Sequence, residues 1–405
     1  MSTDAGAEPD PAAARAAMVA RLEEEGFLRP GPVRDALLAL PREVLMPQAY
    51  VRRSGPGGEP PRWDLLDWSS PQDRPELLGL LYGGGSVLVQ HDGEALLGRA
   101  RGTRSGAAIT SMSTVMGVTA ELLEELDLRR GLRVLDVGTG AGVTAAVACW
   151  VGGDQGVVTL DQDRHVTEWA ATRLSRLGFR PRVVCGSGEL GVPGRQFDRV
   201  FVSYAVESVP TALVEQLAPG GTLLAHVTSA SPSWPGLAVV RRSTDGQVTA
   251  ELRAVEFAHR AGRGMARIWL SEEFRRRMAS EPGTWTRRSM PAPPEDHDLG
   301  FWLAADHVLG GLVRDFGAEH LAIGAPDCGS WMRAQPDGHR RWNVTVRGPR
   351  DIWREIQDLA ARWRAAASPD RYRLSFDAGG GQRAASACGR LSWRLAASPD
   401  DGVPS

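Results

Sequence analysis

The segment VLDVGTGAGVTAAVACWVGG, residues 134–153, places glycines 138, 140 and 142 between an apolar strand-like run and an apolar helix-like run. Because these glycines have no Cβ, a ligand could lie directly against the backbone there. In open α/β sheets, ligands bind at the carboxyl ends of the strands, which is where this turn falls. The turn therefore predicts a ligand site, while a structural turn or a different nucleotide site would also explain the glycines.

Two acidic residues narrow the choice of ligand. Asp136 precedes the first glycine, where a carboxylate would repel a pyrophosphate but suits the cationic sulfonium and amino group of S-adenosylmethionine. The glycine spacing also lacks the GxGxxG pattern of dinucleotide sites. Asp161, at the end of the next predicted strand, can accept hydrogen bonds from ribose hydroxyls, unless it is only a turn residue. These residues favour S-adenosylmethionine as the cofactor.

Strand-like and helix-like stretches alternate on both sides of this turn. The predicted strands are LRVLDVG, GVVTLDQD, PRVVCGSG, FDRVFVSY and GGTLLAHVT, with helical stretches between them. Such alternation predicts an α/β fold with a doubly wound parallel sheet, covered by helices on both faces. Residues 237–270 alternate apolar and polar positions, so we expect antiparallel edge strands to finish the sheet.

The chain before the turn is less regular. Helical spacing appears in residues 13–28 and 31–46, with Pro32 near the start of the second helix. Residues 1–12 are predicted to be disordered, and the Pro- and Gly-rich residues 51–85 to be irregular. Residues 86–99 predict two short strands around an Asp92-Gly93 turn, and a helix is expected over 115–128.

The composition changes near residue 271. We predict a cofactor domain over 13–270 (a helical and loop part, 13–105, and a core, 106–270), a linker over 271–298, an α+β domain over 299–395 and a loose tail over 396–405. Seven of the 13 tryptophans lie beyond residue 271. Trp and Arg are frequent at binding hot spots, so this region is a candidate peptide-docking domain. Trp353 and Trp363, on one predicted helix, are expected to fill its core instead.

Charge and cysteine content exclude several classes of function. A formal net charge of −2 argues against a nucleic-acid binder driven by a basic field. The four cysteines lie far apart without a CxxC pair, so neither a metal cluster nor a disulfide framework is expected. The N-terminus lacks a signal-peptide pattern, and no apolar stretch has the roughly 18 residues that a membrane span needs. We expect a soluble, cytoplasmic protein.

Residues from about 14 to 230 resemble the protein L-isoaspartyl O-methyltransferases. LRVLDVGTGAGVTAA is similar to the cofactor loop of that family, VVTLDQD to its ribose-binding strand, and FDRVFVSYAVESVPTALVEQLAPGGTLLAHV to its later strands. ALLALPREVLMPQAY resembles its entry helix and turn. The resemblance implies a Rossmann-like class I fold that uses S-adenosylmethionine.

The resemblance also assigns cofactor contacts. These residues are Asp136, Val137, Gly138, Thr139, Gly140, Asp161, Gln162, Gly186 and Ser187. At the last two positions this chain reads CGSG, where the family usually has a Gly-Asp-Gly turn that contacts the adenine. Ser187 can still form a hydrogen bond there, so cofactor binding is still expected despite this departure from the family pattern.

The family's substrate loop corresponds here to ITSMSTVMGVTAELL, ahead of a predicted helix. Ser111 falls where the family usually has a serine near the transferred methyl, and Thr114 falls near a polar position that contacts the peptide. Thr110 and Ser113 are alternatives, because a shift of one or two residues in register would place either of them there. All four hydroxyls could instead be a helix N-cap cluster. His165 and His226 are expected to be structural.

Isoaspartyl methyltransferase homologues with such a C-terminal extension resemble tailoring enzymes of bacterial ribosomal peptide clusters. That resemblance implies methylation of an aspartate in a modified, cyclised precursor peptide, whose ester then closes to an aspartimide or goes on to isoaspartate. The alternatives are general repair of isoaspartate in damaged proteins, a non-catalytic binding module, and a small-molecule methyltransferase. The carboxylate acceptor is already ionised at neutral pH, so no general base is expected.

Overall fold

The computed structural model describes residues 10–54, 60–106, 108–229, 236–255, 272–289, 291–295, 297–317, 320–337 and 341–396. These residues form two compact units. The first comprises the chain up to residue 204 together with 212–224 and 244–246, and the second comprises 205–211, 225–243 and the chain from 247 onward.

Four helices open the first unit: α1 (Pro11–Glu24), α2 (Pro32–Ala39), α3 (Arg42–Leu45) and α4 (Arg74–Tyr82). The Asp10 carboxylate accepts hydrogen bonds from the backbone N–H groups of Ala12 and Ala13, so α1 already begins at Pro11. The prediction of disorder over residues 1–12 is therefore wrong at its end, and residues 1–9 lie outside the described residues. Pro32 opens α2, as predicted.

A five-stranded antiparallel sheet comes next. Its strands are β1 (Gln48–Arg52), β2 (Arg62–Asp67), β3 (Val87–His91), β4 (Gly102–Ser105) and β5 (Ile109–Ser113), in the order β4-β2-β1-β3-β5. The prediction that residues 51–85 are irregular is wrong for β1, β2 and α4. Tyr50, Leu65 and Ile109 form a small core there, which the Pro- and Gly-rich average composition of the segment concealed.

The predicted hairpin around Asp92-Gly93 is wrong as well. Asp92 and Gly93 do form a turn with positive φ angles, but β3 pairs with β1 and with β5 rather than with the next few residues. The strand partner of β3 thus begins at Ile109, after the intervening β4.

The alternating strands and helices of the first unit are confirmed. They are α5 (Met116–Glu125), β6 (Val134–Val137), α6 (Val143–Gly152), β7 (Val157–Asp161), α7 (Arg164–Arg176), β8 (Arg182–Cys185), β9 (Phe197–Val206), α8 (Thr211–Glu215) and β10 (Leu217–Val227). The strand order is β10-β9-β6-β7-β8. Strand β6 pairs in parallel with both β7 and β9, and β7 pairs in parallel with β8. The strand order reverses at β6, which is where ligands bind in such sheets.

The second unit contains the antiparallel pair β11 (Gly236–Arg242) and β12 (Val248–Ala254), as expected. Strand β12 is not an edge strand, however. Three later strands extend the sheet beyond it: β18 (Arg371–Phe376), β19 (Gln382–Ala385) and β20 (Ser392–Arg394). Residues 256–271, which were expected to continue the edge, and the tail from 397 lie outside the described residues.

The rest of the second unit is an antiparallel sheet with helices. It comprises α9 (Glu272–Ser280), β13 (Trp285–Ser289), α10 (Leu299–Val308), β14 (Val313–Gly317), β15 (His320–Ala325), β16 (Ser330–Pro336), β17 (Trp342–Arg347) and α11 (Ile352–Ala365), with the sheet order β13-β17-β16-β15-β14. The predicted linker thus contains a helix and a strand. Trp353 and Trp363 are buried on one face of α11, as predicted.

None of the helices in the described part of the chain combines the length and the apolarity that a membrane crossing requires.

Candidate cofactor and substrate site

The glycine turn between β6 and α6 lies at the predicted position. Gly138 and Gly140 have φ angles of +92° and +48°, a region that side chains with a Cβ disfavour. A Cβ on Gly138 would lie 2.5 Å from Ser203 Oγ, and a Cβ on Gly140 would lie 3.0 Å from the carbonyl oxygen of Met112. Glycine is therefore required at both positions by the backbone conformation and by the close approach of β9 and β5.

Asp136 lies at the centre of this site and is completely buried. Thr159 donates a hydrogen bond to its Oδ2 over 2.8 Å, while its Oδ1 has no partner among the described residues. Burial raises the pKa of Asp136 to about 8, although the Thr159 hydroxyl opposes the shift. A buried carboxylate with one free oxygen is incomplete without a positively charged or hydrogen-bonding ligand.

Asp161 ends β7, next to the glycine turn. Its carboxylate accepts a hydrogen bond from the backbone N–H of Gly140 over 3.2 Å and another from the backbone N–H of Asp163 over 3.1 Å. Burial raises the pKa of Asp161. The two acidic residues predicted from the sequence therefore lie at the ends of the neighbouring strands β6 and β7, and Asp161 contacts Gly140 of the turn.

The remaining predicted cofactor residues lie at the same strand ends. Val137 is buried in β6, and Thr139 shares a 2.7 Å hydrogen bond with the hydroxyl of Thr159. The Gly186 N–H donates to the carbonyl oxygen of Asp161 over 2.9 Å, so β8 ends beside β7. Gln162 and Ser187 are both exposed. They lie after β7 and β8, at the edge where Asp136 and Asp161 are also found.

Sequence reasoning missed several residues that shape the site. Thr159 lies opposite Asp136 in the parallel register of β6 and β7, so its hydroxyl can reach the Asp136 carboxylate. Tyr204 crowds Gly188, because a Cβ there would lie only 2.0 Å from the tyrosine hydroxyl. The pairing of Asp136 with Thr159 could have been found from the register of two parallel strands; the Tyr204 contact had no local signal.

The segment predicted as a substrate loop, residues 109–123, begins as a strand and continues into α5, and three of the four candidate hydroxyls lie in the strand. Residues 109–113 form β5, whose Ile109, Ser111 and Ser113 are buried and whose Thr110 and Met112 are half-buried. The alternative of a helix N-cap cluster is also wrong for these residues, since α5 begins at Met116 with Val115 at its N-cap and no side-chain cap. Because successive side chains of a strand point to opposite faces, Ser111 and Ser113 lie on one face of β5 and Thr110 on the other.

The four candidate hydroxyls have different surroundings. Thr110 donates to Gln90 Oε1 over 2.8 Å and accepts from the N–H of Gly93. Ser113 accepts from Arg42 over 3.3 Å. Ser111 has a buried hydroxyl without a partner among the described residues, 3.8 Å from where a Cβ on Gly140 would lie. Thr114 is half-buried just after the strand. Only Ser111 combines a free hydroxyl with a position against the glycine turn.

The donor set around the turn fits S-adenosylmethionine. Asp136 is a buried carboxyl group whose ionised form would pair with a cationic group, Asp161 offers a carboxylate for ribose hydroxyls, and Gly138 and Gly140 expose the backbone between them. A pyrophosphate would meet the unpaired oxygen of Asp136, which disfavours a dinucleotide.

Comparison with known proteins shows which family part of this chain resembles. Residues 103–259 match the family protein-L-isoaspartate(D-aspartate) O-methyltransferase, PCMT. A protein-L-isoaspartate O-methyltransferase of Ignicoccus hospitalis is 27% identical over 243 residues, which cover 59% of this chain and 93% of that protein. The enzyme of the same name from Thermococcus onnurineus is 29% identical over 233 residues, covering 57% of this chain and 84% of the relative.

A solved structure of a protein-L-isoaspartate O-methyltransferase aligns with 90% of this chain and 97% of its own, with a TM-score of 0.47 and 20% identity. The matched family region, residues 103–259, includes β5, the glycine turn, Asp136 and Asp161. This chain carries a PCMT-family domain and is an S-adenosylmethionine-dependent carboxyl O-methyltransferase.

Proposed function

We propose that the chain methylates the free carboxylate of L-isoaspartyl residues in peptides and proteins. The observation that carries the proposal is a pair of buried polar atoms without partners among the described residues: Asp136 Oδ1, in the strand that leads into the glycine turn, and Ser111 Oγ, beside Gly140. One is acidic and suits a cationic cofactor, and the other is a hydroxyl that can donate to a carboxylate. The family match of the same region supports this choice of acceptor over the modified-peptide acceptor placed first from the sequence.

Methyl transfer to a carboxylate requires that the two reactants be positioned, and it requires no proton transfer. Bound S-adenosylmethionine supplies a methyl group made electrophilic by its sulfonium. The acceptor carboxylate is ionised at neutral pH, so the chain need not remove a proton from it. Alignment of two reactants can supply about 7–11 kcal/mol of a barrier. In this site Asp136 attracts the cationic groups of the cofactor, and Asp161 accepts hydrogen bonds from its ribose hydroxyls. Ser111 orients the acceptor carboxylate.

The methyl ester is a better electrophile than the free carboxylate. The backbone nitrogen of the next residue attacks the ester carbonyl, methanol leaves, and a five-membered succinimide closes. Water then opens that ring at either carbonyl, which gives aspartyl or isoaspartyl products. Repeated methylation of the isoaspartyl product alone converts the population to aspartate, which amounts to repair.

The test uses two synthetic linear peptides that differ only in one residue, L-isoaspartate or L-aspartate. Each is incubated with the protein and S-adenosylmethionine and monitored by mass spectrometry. We expect the isoaspartyl peptide to gain the mass of one CH2 group, as formation of a methyl ester requires, and the aspartyl peptide to stay unchanged. Ser111→Ala should slow the reaction. Absence of methylation of the isoaspartyl peptide, despite measurable cofactor binding, would refute the proposed acceptor.

A second candidate is methylation of an aspartate in a cyclised ribosomal precursor peptide. The observation that favours it is the extent of chain outside the matched relatives, since the Ignicoccus hospitalis enzyme aligns with 59% of this chain while 93% of its own length is covered. The second unit, with α9 to α11 and two sheets, would be the docking surface, and the predicted domain over 299–395 would be its main part. Incubation with a cyclised precursor peptide is the test. Methyl addition and then loss of methanol, on that peptide and not on the linear isoaspartyl peptide, would favour this candidate.

A further inference from the structure

Arg42 is a charged residue whose burial the methyl-transfer mechanism above does not explain. It opens α3 and is only 3% exposed. Its backbone N–H donates to the hydroxyl of Tyr82 over 3.0 Å, which fixes the start of the helix and the direction of the side chain. A buried arginine at a helix start calls for a partner, because an isolated buried charge is costly.

No such partner exists among the described residues. The guanidinium of Arg42 donates to Ser113 Oγ over 3.3 Å and contacts the sulfur of Met116, and its Nε has no hydrogen-bond acceptor. No carboxylate of the described chain pairs with it, in contrast to Arg99, whose side chain is 5% exposed and has Glu94 at 2.7 Å. Burial lowers the pKa of Arg42 to about 10, so the group is still cationic at neutral pH.

The position of this cation relates it to the cofactor and substrate site. Ser113, its hydrogen-bond partner, lies two residues after Ser111 in β5, so both hydroxyls are on one face of the strand. Ser111 is the unpartnered hydroxyl beside Gly140. Leu45, at the other end of α3, lies 3.9 Å from where a Cβ on Gly142 would be. Arg42 is therefore connected to the glycine turn through β5 and through α3, each of which contacts the turn by another residue.

The turn is thus associated with two buried ionisable groups, an acid and a base, neither of which has an oppositely charged partner in the described chain. Asp136 contributes a carboxyl oxygen without a hydrogen-bond partner, and Arg42 contributes a guanidinium whose Nε has no acceptor. Such a pair is complementary to a ligand that carries both an ammonium or sulfonium and a carboxylate. A guanidinium also presents several N–H groups in a plane, which matches the two oxygens of a carboxylate.

We propose that Arg42 binds a ligand carboxylate in this site. This inference rests on the proposed function, which supplies two carboxylates: that of the amino-acid part of the cofactor and that of the acceptor. In either case Arg42 is a binding residue contributed from outside the strand ends, and Ser113 holds its guanidinium in place until the carboxylate arrives.

The test compares three ligands by isothermal titration calorimetry. They are S-adenosylhomocysteine, its decarboxylated analogue S-adenosyl-3-thiopropylamine, and 5′-methylthioadenosine, which lacks the whole amino-acid part. If Arg42 binds the cofactor carboxylate, the wild-type protein should prefer S-adenosylhomocysteine to the decarboxylated analogue by about 10- to 100-fold. Arg42→Met should remove that preference and leave the affinity for the decarboxylated analogue unchanged, which also shows that the variant is folded.

If Arg42 binds the acceptor instead, Arg42→Met keeps the preference for S-adenosylhomocysteine, and kcat/KM for the isoaspartyl peptide falls by at least about 10-fold. Arg42→Lys should recover part of either effect. Arg99→Met is the matched control, because it removes a buried arginine of the same unit that already has a carboxylate partner. It should lower stability without changing ligand preference.

The proposal is wrong if Arg42→Met changes neither the ligand preference nor kcat/KM. It is also wrong if Arg42→Met weakens all three ligands equally, since a carboxylate-specific effect would then be absent. Failure of the wild-type protein to bind S-adenosylhomocysteine would instead refute the proposed function, so the two failures are distinguishable.

Discussion

The side-chain amide of Gln90 donates a hydrogen bond to Asp163 Oδ2 over 2.9 Å. Gln90 belongs to the antiparallel sheet, whereas Asp163 lies just after β7 and caps α7 through the N–H of His165. The backbone N–H of Asp163 in turn donates to Asp161. Since Thr110 donates to the same glutamine, a single side chain connects β5 with Asp163, whose N–H donates to the proposed ribose-binding carboxylate of Asp161.

We predict that Gln90→Leu weakens S-adenosylhomocysteine binding by about 1–2 kcal/mol, or roughly 5- to 30-fold. The leucine has a similar volume but leaves Asp163 and Thr110 without their partner, so Asp161 is held less firmly. Calorimetry measures the change. Gln382→Leu is the control, because Gln382 is also buried and its amide bonds both backbone groups of Val209 in the second unit. An equal loss of affinity in both variants would contradict a specific role for Gln90.

Ser111 and Thr110 should respond oppositely to removal of their hydroxyls. Ser111→Ala removes a buried polar atom that has no partner, so the free energy of unfolding should stay within about 0.5 kcal/mol or rise, while kcat falls about 10-fold or more. Thr110→Ala breaks two hydrogen bonds and should lower stability by about 1 kcal/mol. Thermal or urea unfolding, together with steady-state kinetics, separates the two. A stability loss in Ser111→Ala matched by unchanged kcat would overturn the assignment.

Asp136→Asn should weaken cofactor binding and stabilise the ligand-free protein. The pKa of Asp136 is raised from an ordinary 3.8 to about 8, so the folded state favours the neutral acid. The resulting stability is complete below pH 4 and is lost as pH rises through 8. The asparagine stays neutral, so the ligand-free variant should be more stable than the wild type at pH 8, by about 1–4 kcal/mol. Urea unfolding at pH 5 and pH 8 tests this, with the gain expected mainly at pH 8.

The same group should couple cofactor binding to protons. At pH 7 most ligand-free molecules carry a proton on Asp136, and a cationic ligand favours its carboxylate form. Binding of S-adenosylmethionine at pH 7 should therefore release close to one proton. Calorimetry in buffers of different ionisation enthalpy counts the protons, and Asp136→Asn should release fewer. No proton release by the wild-type protein would show that the carboxylate is already ionised before binding.

Gly140→Ala should abolish cofactor binding. The alanine would adopt a φ near +48° and place its Cβ 3.0 Å from the Met112 carbonyl, which pushes β5 away from the turn. Gly178→Ala is the control, since Gly178 has a φ of +85° after α7 but nothing within 4 Å of the added Cβ. Each should lose about 1 kcal/mol of stability from backbone conformation alone. Titration with S-adenosylhomocysteine should show loss of binding in Gly140→Ala and unchanged binding in Gly178→Ala.

The sheet around β6 could be predicted because its signals are local. Continuous apolar runs such as those of β6 and β7 form buried parallel strands, and the glycines of the turn require positive φ. Asp136 and Asp161 could be inferred from their places at the strand ends. For these residues the chemistry and the backbone position are both encoded within a few residues.

Strand β5 was missed because its buried face is polar. Ser111 and Ser113 face inward while Met112 is half-buried, so the apolar pattern that normally marks a half-buried strand is inverted. Gln90 and Arg42 lie far from the turn in sequence, and their roles depend on how β3 and α3 pack. Propensity and periodicity describe neighbours along the chain, and they carry no information about such pairings.

The irregular pairing of β3 with β5 has a consequence for how this site can change over generations. The register shifts on both sides of Gln90, so that each strand has one residue without a register partner, Val89 in β3 and Thr110 in β5. Such a bulge re-aims a side chain, and strand alternation sends every residue beyond a one-residue insertion to the opposite face. Natural variants of this site should therefore differ by replacement of side chains in β3 and β5, while insertions and deletions accumulate in the connections outside these two strands.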